Sequence, residues 1–273
     1  MESKHLAAAL LVLPLFAGPA RQGAAQQPAA GLPAASPASG AEAAAFLFTY
    51  HIKPGMQAAF DEGYRRHLSW HQGKKDTLVW YAWYVTSGDR TGLFIDGSFG
   101  APFAAFDQRV EPPADAADFA QTAAPFSEPA ARITYRLRPD LSTGQLLEDL
   151  RPSPIVQVTH YTLHPGMEGR FENFAARLRT ALARSPGAPV HTWYELVVGG
   201  DAPGYLLMVP RQQWGDFGGA QPAIGALLEH AYGTAQARQL LAALAASVAR
   251  ASSEMWTYRK DLSYFPPWPP RPQ

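Results

Sequence analysis

Tyr50-His-Ile-Lys-Pro-Gly-Met-Gln-Ala-Ala-Phe60 and Tyr161-Thr-Leu-His-Pro-Gly-Met-Glu-Gly-Arg-Phe171 are two versions of one phrase. Five of the eleven positions are identical: the Tyr, the Pro-Gly-Met and the Phe. The register continues downstream. Trp83-Tyr84 matches Trp193-Tyr194, Gly88-Asp89 matches Gly200-Asp201, and Phe103 and Phe106 match Trp214 and Phe217. Thr134-Tyr135-Arg136 matches Thr257-Tyr258-Arg259, and Asp140-Leu141-Ser142 matches Asp261-Leu262-Ser263. A collinear series of this kind reads as an internal duplication. Its copies span about 45–142 and 154–264, joined by a Pro-containing linker at 143–153.

The two copies predict the same elements. Phe46–Ile52 and Ile155–Leu163 are rich in β-branched and aromatic residues and read as strands. Pro-Gly ends each strand and presets a turn into a helix, Met56–Gln72 or Met167–Ala183. In the second helix, Phe171, Phe174, Ala175, Leu178 and Leu182 form one apolar face at helical period. Hairpin strands follow, Leu78–Val85 with Leu93–Phe99 and Val190–Val198 with Tyr205–Val209, each around a Gly-Asp turn. A second helix is clearest at Ala223–Ala251, and a last strand carries Thr-Tyr-Arg. In the first copy, Glu111-Pro112-Pro113 is expected to interrupt any such helix. The order βαββαβ is the ferredoxin-like unit. One unit covers only one face of its sheet, so two copies can pack sheet to sheet. The expected class is therefore α+β, with two tandem ferredoxin-like units forming an intrachain pseudo-dimeric α/β barrel.

Pro54-Gly55 with Phe60, Pro165-Gly166 with Phe171, and Trp214 followed by Glu229-His230 give this order a resemblance to the dimeric α/β-barrel superfamily. The likeness is greatest to its antibiotic-biosynthesis-monooxygenase-like and NIPSNAP-like branches and covers about 210 of 273 residues. That superfamily holds cofactor-independent oxygenases, haem-degrading oxygenases, haem peroxidase relatives, isomerases and proteins without known activity. The resemblance thus implies a fold and a set of chemistries rather than one reaction. It requires no cofactor and admits haem.

Composition narrows the field. Lys+Arg and Asp+Glu are each 23, giving a formal net charge of zero. That balance supplies no electrostatic footprint for nucleic acid, and there is no basic run for anionic lipid. There are no cysteines, which excludes disulfides, thiolate metal sites and cysteine nucleophiles. The start reads as a signal peptide, residues 1–25. Lys4 supplies the positive end, Leu6–Phe16 an apolar core too short to span a bilayer of about 30 Å, and Gly23-Ala24-Ala25 a cleavage site. The expected location is therefore periplasmic or secreted, with no transmembrane segment in the mature chain. Residues 26–44 read as a disordered Ala/Pro-rich leader and 265–273 as a Pro-rich tail in which Trp268 favours packing.

No phosphate loop, dinucleotide-binding fingerprint, HExxH or GxSxG occurs, so no catalytic residue is assigned. Histidines are the remaining candidates. Strand alternation places His51 and His160 toward the barrel interior from opposite halves, as ligand anchors or as hydrogen-bonded wall residues. His191, Trp193 and Glu195 share one strand face and read as core or as polar handles of an aromatic-lined pocket. His67 and His71 lie four apart on the first helix and align with Leu178 and Leu182. They read as a weak metal or haem contact beneath the helix without an obvious third ligand, or as half-exposed residues at the edge of the helix face covered by Tyr64 and Trp70. His230 resembles the helix histidine of haem-handling members; its other reading is a polar-face residue before Gly233. The expected function is binding of a small, largely apolar ligand in the barrel. The alternative is a monooxygenase-like or haem-linked oxidoreductase. Oligomerisation beyond the intrachain pair stays open.

Overall fold

A computed structural model describes residues 42–218 and 223–267. The signal peptide, most of the leader, and Trp268 with the end of the tail lie outside the described residues. The first half runs β1 (Ala43–Ile52), α1 (Gln57–Lys74), β2 (Tyr81–Ser87), β3 (Leu93–Pro102), α2 (Pro112–Thr122) and β4 (Ser127–Leu137). The second runs β5 (Ile155–Leu163), α3 (Glu168–Ala183), β6 (Thr192–Val198), β7 (Gly204–Arg211), α4 (Ile224–Tyr232), α5 (Thr234–Ser247) and β8 (Val248–Tyr258). No described helix is long and apolar enough to cross a membrane.

The repeated phrase folds the same way twice. Gly55 and Gly166 take φ of 74° and 78°, a region open to glycine at no steric cost. Met56 N–H donates to Lys53 O and Met167 N–H to His164 O, closing the two turns. Phe60 and Phe171 then enter their helices fully buried beneath them.

Among the described residues eight strands, all paired antiparallel, close into a barrel of order β1-β3-β2-β8-β5-β7-β6-β4. Each half supplies four neighbouring strands. The seams are β2 with β8, where Trp83 faces Tyr258, and β4 with β6, where Leu137 faces Tyr194. The halves therefore meet edge to edge by hydrogen bonds as well as face to face. Alternation sorts the side chains: Ala45 and Leu47 of β1 enter the barrel, while Phe48, Tyr50 and Ile52 pack under α1 and α2. Trp83, Trp256, Tyr81, Tyr194 and Phe99 fill the lower barrel.

Four local expectations change. Pro112-Pro113 begins α2 rather than interrupting a helix, because a proline in the first turn lacks an N–H that would find no partner there anyway. The long second-half helix is broken at Gly233, with φ of 81°, into α4 and α5. Residues 248–251 are strand rather than helix, since pairing of β8 along β5 overrides the helix preference of the Ala-rich run. The 143–153 segment does more than link. Leu147 enters the barrel core, Tyr81 Oη donates to Leu147 O at 2.5 Å, and Tyr194 Oη donates to Glu148 at 2.8 Å. It plugs one mouth of the barrel. Burial there pushes the Glu148 carboxyl up to about 7.

Phe171, 0% exposed, is expected to cost about 3–5 kcal/mol on replacement by Ala. Trp214, 58% exposed, should change stability by less than about 0.5 kcal/mol on the same replacement. Denaturant unfolding of the two variants measures both.

Candidate functional site

The mouth opposite the plug stays open as a cavity of about 600 Å³. Ile133, Tyr135 and Leu196 give it an apolar side; Arg90, His160 and Glu254 give it a charged one. Glu254 stands two residues before Trp256 on β8, so both point inward, and Trp256 Nε1–H donates to Glu254 Oε1 at 2.6 Å. Arg90, in the β2–β3 turn, reaches across. Its Nε donates to Glu254 Oε2 at 3.0 Å, and its Nη2 donates to Oε1. His160 Nε2 lies 3.1 Å from Glu254 Oε1 and 3.0 Å from Arg90 Nη2.

Burial of Glu254, 7% exposed, would raise its pKa. Hydrogen bonds from His160 and Arg90, with the Arg90 charge, outweigh that and bring the carboxyl down to about 2. Arg90 is always a donor. His160 Nε2 can therefore accept from Arg90 only as the Nδ1–H tautomer, and can donate to Glu254 only when Nε2 carries the proton. One proton position excludes one of the two contacts. His160 is thus held at the cavity wall between a guanidinium and a carboxylate that is ionised near pH 7.

The other sequence candidates lie elsewhere. His51 is exposed at the end of β1, opposite Leu93 and Glu128, and does not line the cavity. Trp193 packs beneath α3, its ring 5.5 Å edge-on from Phe171. Glu195, on the same face, accepts from Arg138 Nη1 at 3.2 Å. It is Tyr194 and Leu196 of β6 that face inward. His191 is buried before β6, and burial, reinforced by the Arg211 charge, drives its pKa down to about 3, so it is neutral near pH 7. These three residues therefore line no common pocket with the barrel cavity.

His230 is exposed at the end of α4. A haem needs an imidazole aimed into an apolar slot. His230 points away from the core, and His160 is bound into the Arg90–Glu254 cluster, so neither fits an axial ligand.

His67 and His71 are buried, 5% and 4% exposed, rather than half-exposed. α2 lies across α1 and brings two carboxylates to them. Asp118 Oδ2 is 2.8 Å from His67 Nδ1, and Asp115 Oδ1 is 3.3 Å from His67 Nε2. Asp76, just after α1, places Oδ2 2.8 Å from His71 Nδ1 and also accepts from Trp80 Nε1–H at 2.7 Å. Burial lowers the His67 pKa, but hydrogen bonds to Asp115 and Asp118 outweigh it and leave it raised. The Asp115/Asp118 spacing would place both on one helix face. It went unused in the sequence because Pro112-Pro113 concealed the helix that carries them. No local pattern points to Arg90 or Glu254.

No family model matches the chain, and no curated protein matches it. Solved structures do share its fold. A candidate monooxygenase from Lactobacillus acidophilus is 9% identical with a TM-score of 0.50, covering 81% of this chain and 95% of its own. One from Fusobacterium nucleatum is 11% identical with a TM-score of 0.50, covering 81% and 94%. A candidate chlorite dismutase is 9% identical with a TM-score of 0.50, covering 81% and 96%. Each likeness runs across both halves. The fold is that of the dimeric α/β-barrel proteins.

A carboxyl held at about 2 when folded and near 4.5 when unfolded binds fewer protons in the folded state across that interval. Its stabilisation is present above pH 4.5 and is lost as pH falls toward 2, roughly 3 kcal/mol from the shift. Acid unfolding of the native chain should be steep across this interval, and Glu254→Gln should flatten it. Glu148 has the opposite sign, because its raised pKa favours folding at low pH and that contribution fades from about 4.5 to 7. Glu148→Gln should reduce the decline, as read by denaturant midpoints at pH 5 and pH 8.

Proposed function

We propose that this is an exported, internally duplicated barrel protein that binds a small amphipathic organic molecule in the open end of the barrel. The carrying observation is the cavity of about 600 Å³ with an apolar side at Ile133, Tyr135 and Leu196 and a charged side at Arg90, His160 and Glu254. Such a site takes an apolar body and fixes its polar end. The mixed lining favours a ligand with a polar handle over a largely apolar one. The signal-type N-terminus supports export, and the twice-used Pro-Gly-Met turn supports duplication.

A second reading of the same cavity is a cofactor-independent oxidoreductase, favoured by the monooxygenase-type names among its fold neighbours. In that reading His160 takes a proton from an acidic phenol or enol and Glu254 faces the imidazolium; molecular oxygen adds to a ring carbon of the resulting anion as a peroxide, which regains the proton from His160 and loses water, leaving one oxygen atom in a quinone-type product.

Ser252 lies on β8 opposite His160 and lines the cavity. An aromatic sulfonate such as 8-anilinonaphthalene-1-sulfonate, titrated by fluorescence, should bind once per chain. Ser252→Trp should weaken it at least about tenfold by filling the cavity; equal affinity in the variant overturns the cavity assignment. Oxygen uptake with an electron-rich phenol, abolished in His160→Ala, would select the oxidoreductase reading.

A further inference from the structure

We propose that His67, His71 and Asp115 bind a tetrahedral divalent metal of the zinc class, with Asp118 and Asp76 positioning the two imidazoles. This site lies beneath α1 and α2 and is independent of the barrel cavity.

The first observation is the spacing. His67 Nε2 and His71 Nε2 are 3.3 Å apart; Asp115 Oδ1 is 3.3 Å from the first and 3.5 Å from the second. An ion about 2.0–2.1 Å from each ligand in tetrahedral geometry spaces neighbouring ligand atoms roughly 3.3–3.4 Å apart. An octahedral ion at similar distance would need about 3.0 Å. The three atoms thus outline one face of a tetrahedron.

The second observation is the proton count. His67 Nδ1 and His71 Nδ1 each sit 2.8 Å from a carboxylate oxygen, and an ionised carboxylate only accepts. Both Nδ1 atoms therefore carry a hydrogen, which leaves the two Nε2 atoms and the Asp115 oxygen as three convergent positions to be bridged either by a metal ion or by a proton on one ring. Three acceptors converging in a buried space repel unless a cation lies among them. Carboxylate–imidazole pairs of this kind orient metal-binding histidines.

The third observation is that the fold does not need histidines here. The equivalent residues of α3, Leu178 and Leu182, are ordinary core, 1% and 3% exposed. Two imidazoles and three carboxylates replace that packing in one half only. Imidazole with carboxylate suits zinc and its neighbours; magnesium and calcium prefer oxygen alone. Asp115, with its side chain 21% exposed, gives an ion a way in from solvent.

The test uses the full chain stripped with a chelator and titrated with Zn²⁺ by calorimetry and with Co²⁺ by visible absorption. One Zn²⁺ per chain with micromolar or tighter affinity, a tetrahedral Co²⁺ spectrum and a raised Tm are expected. Asp115→Asn should weaken binding at least about 100-fold, and Asp118→Asn about 10–100-fold, with the circular dichroism unchanged. His67→Leu/His71→Leu, which copies the second half, should bind none. Absence of saturable binding in the native chain, or equal affinity in Asp115→Asn, overturns the proposal. The first result would leave a proton as the cation between the two rings, and the second an adventitious ion.

Discussion

A sheet edge presents a row of unpaired N–H and C=O groups, and those groups have to find partners. Each half of this chain makes a four-stranded sheet with two such edges, β2 and β4 in one and β8 and β6 in the other. Pairing β2 with β8 and β4 with β6 removes all four at once. Closure also fixes what the strands enclose, because alternation then sends one set of side chains inward and the other under the helices. Trp83, Trp256 and Tyr194 become a shared interior that neither half could bury alone.

The cavity follows from that closure. Large aromatics fill the lower barrel, and the 143–153 segment seals it through Leu147 and Glu148. The inward positions near the other mouth are smaller or polar, so the space stays open. Charges placed there are screened poorly by water, which is why Glu254 gathers Arg90, His160 and the Trp256 indole around it. The buried histidine pair of α1 shows the same requirement on the outer side of the sheet. Polar groups put where the other half has leucines assemble carboxylates from α2 and from Asp76.

The strand order, the Pro-Gly turns and the division of β1 into two faces were legible in the sequence, because each depends on residues a few positions apart, whereas α2 was hidden by Pro112-Pro113. The Pro-Gly turn needs only a positive φ at its glycine, and Phe60 or Phe171 needs only helical spacing to reach the core. Candidate site residues were legible in part. His160 reaches the cavity because strand parity alone carries it there. His51 has the same parity but lies at the end of its strand, and strand position relative to the rim is set by pairing. Trp193 packs on the helix side of β6 and His191 precedes the strand, and which face of β6 looks inward depends on how it joins β4.

By itself the sequence determined the strands, the Pro-Gly turns and the amphipathic faces of the first helix in each half, since these are local properties of period and backbone freedom. Only the tertiary structure decided that the linker closes the barrel, that Arg90 and Glu254 hold His160, and that Asp115 and Asp118 meet His67. Those contacts join residues far apart along the chain, and their geometry comes from strand register and helix crossing, which no short stretch of residues encodes.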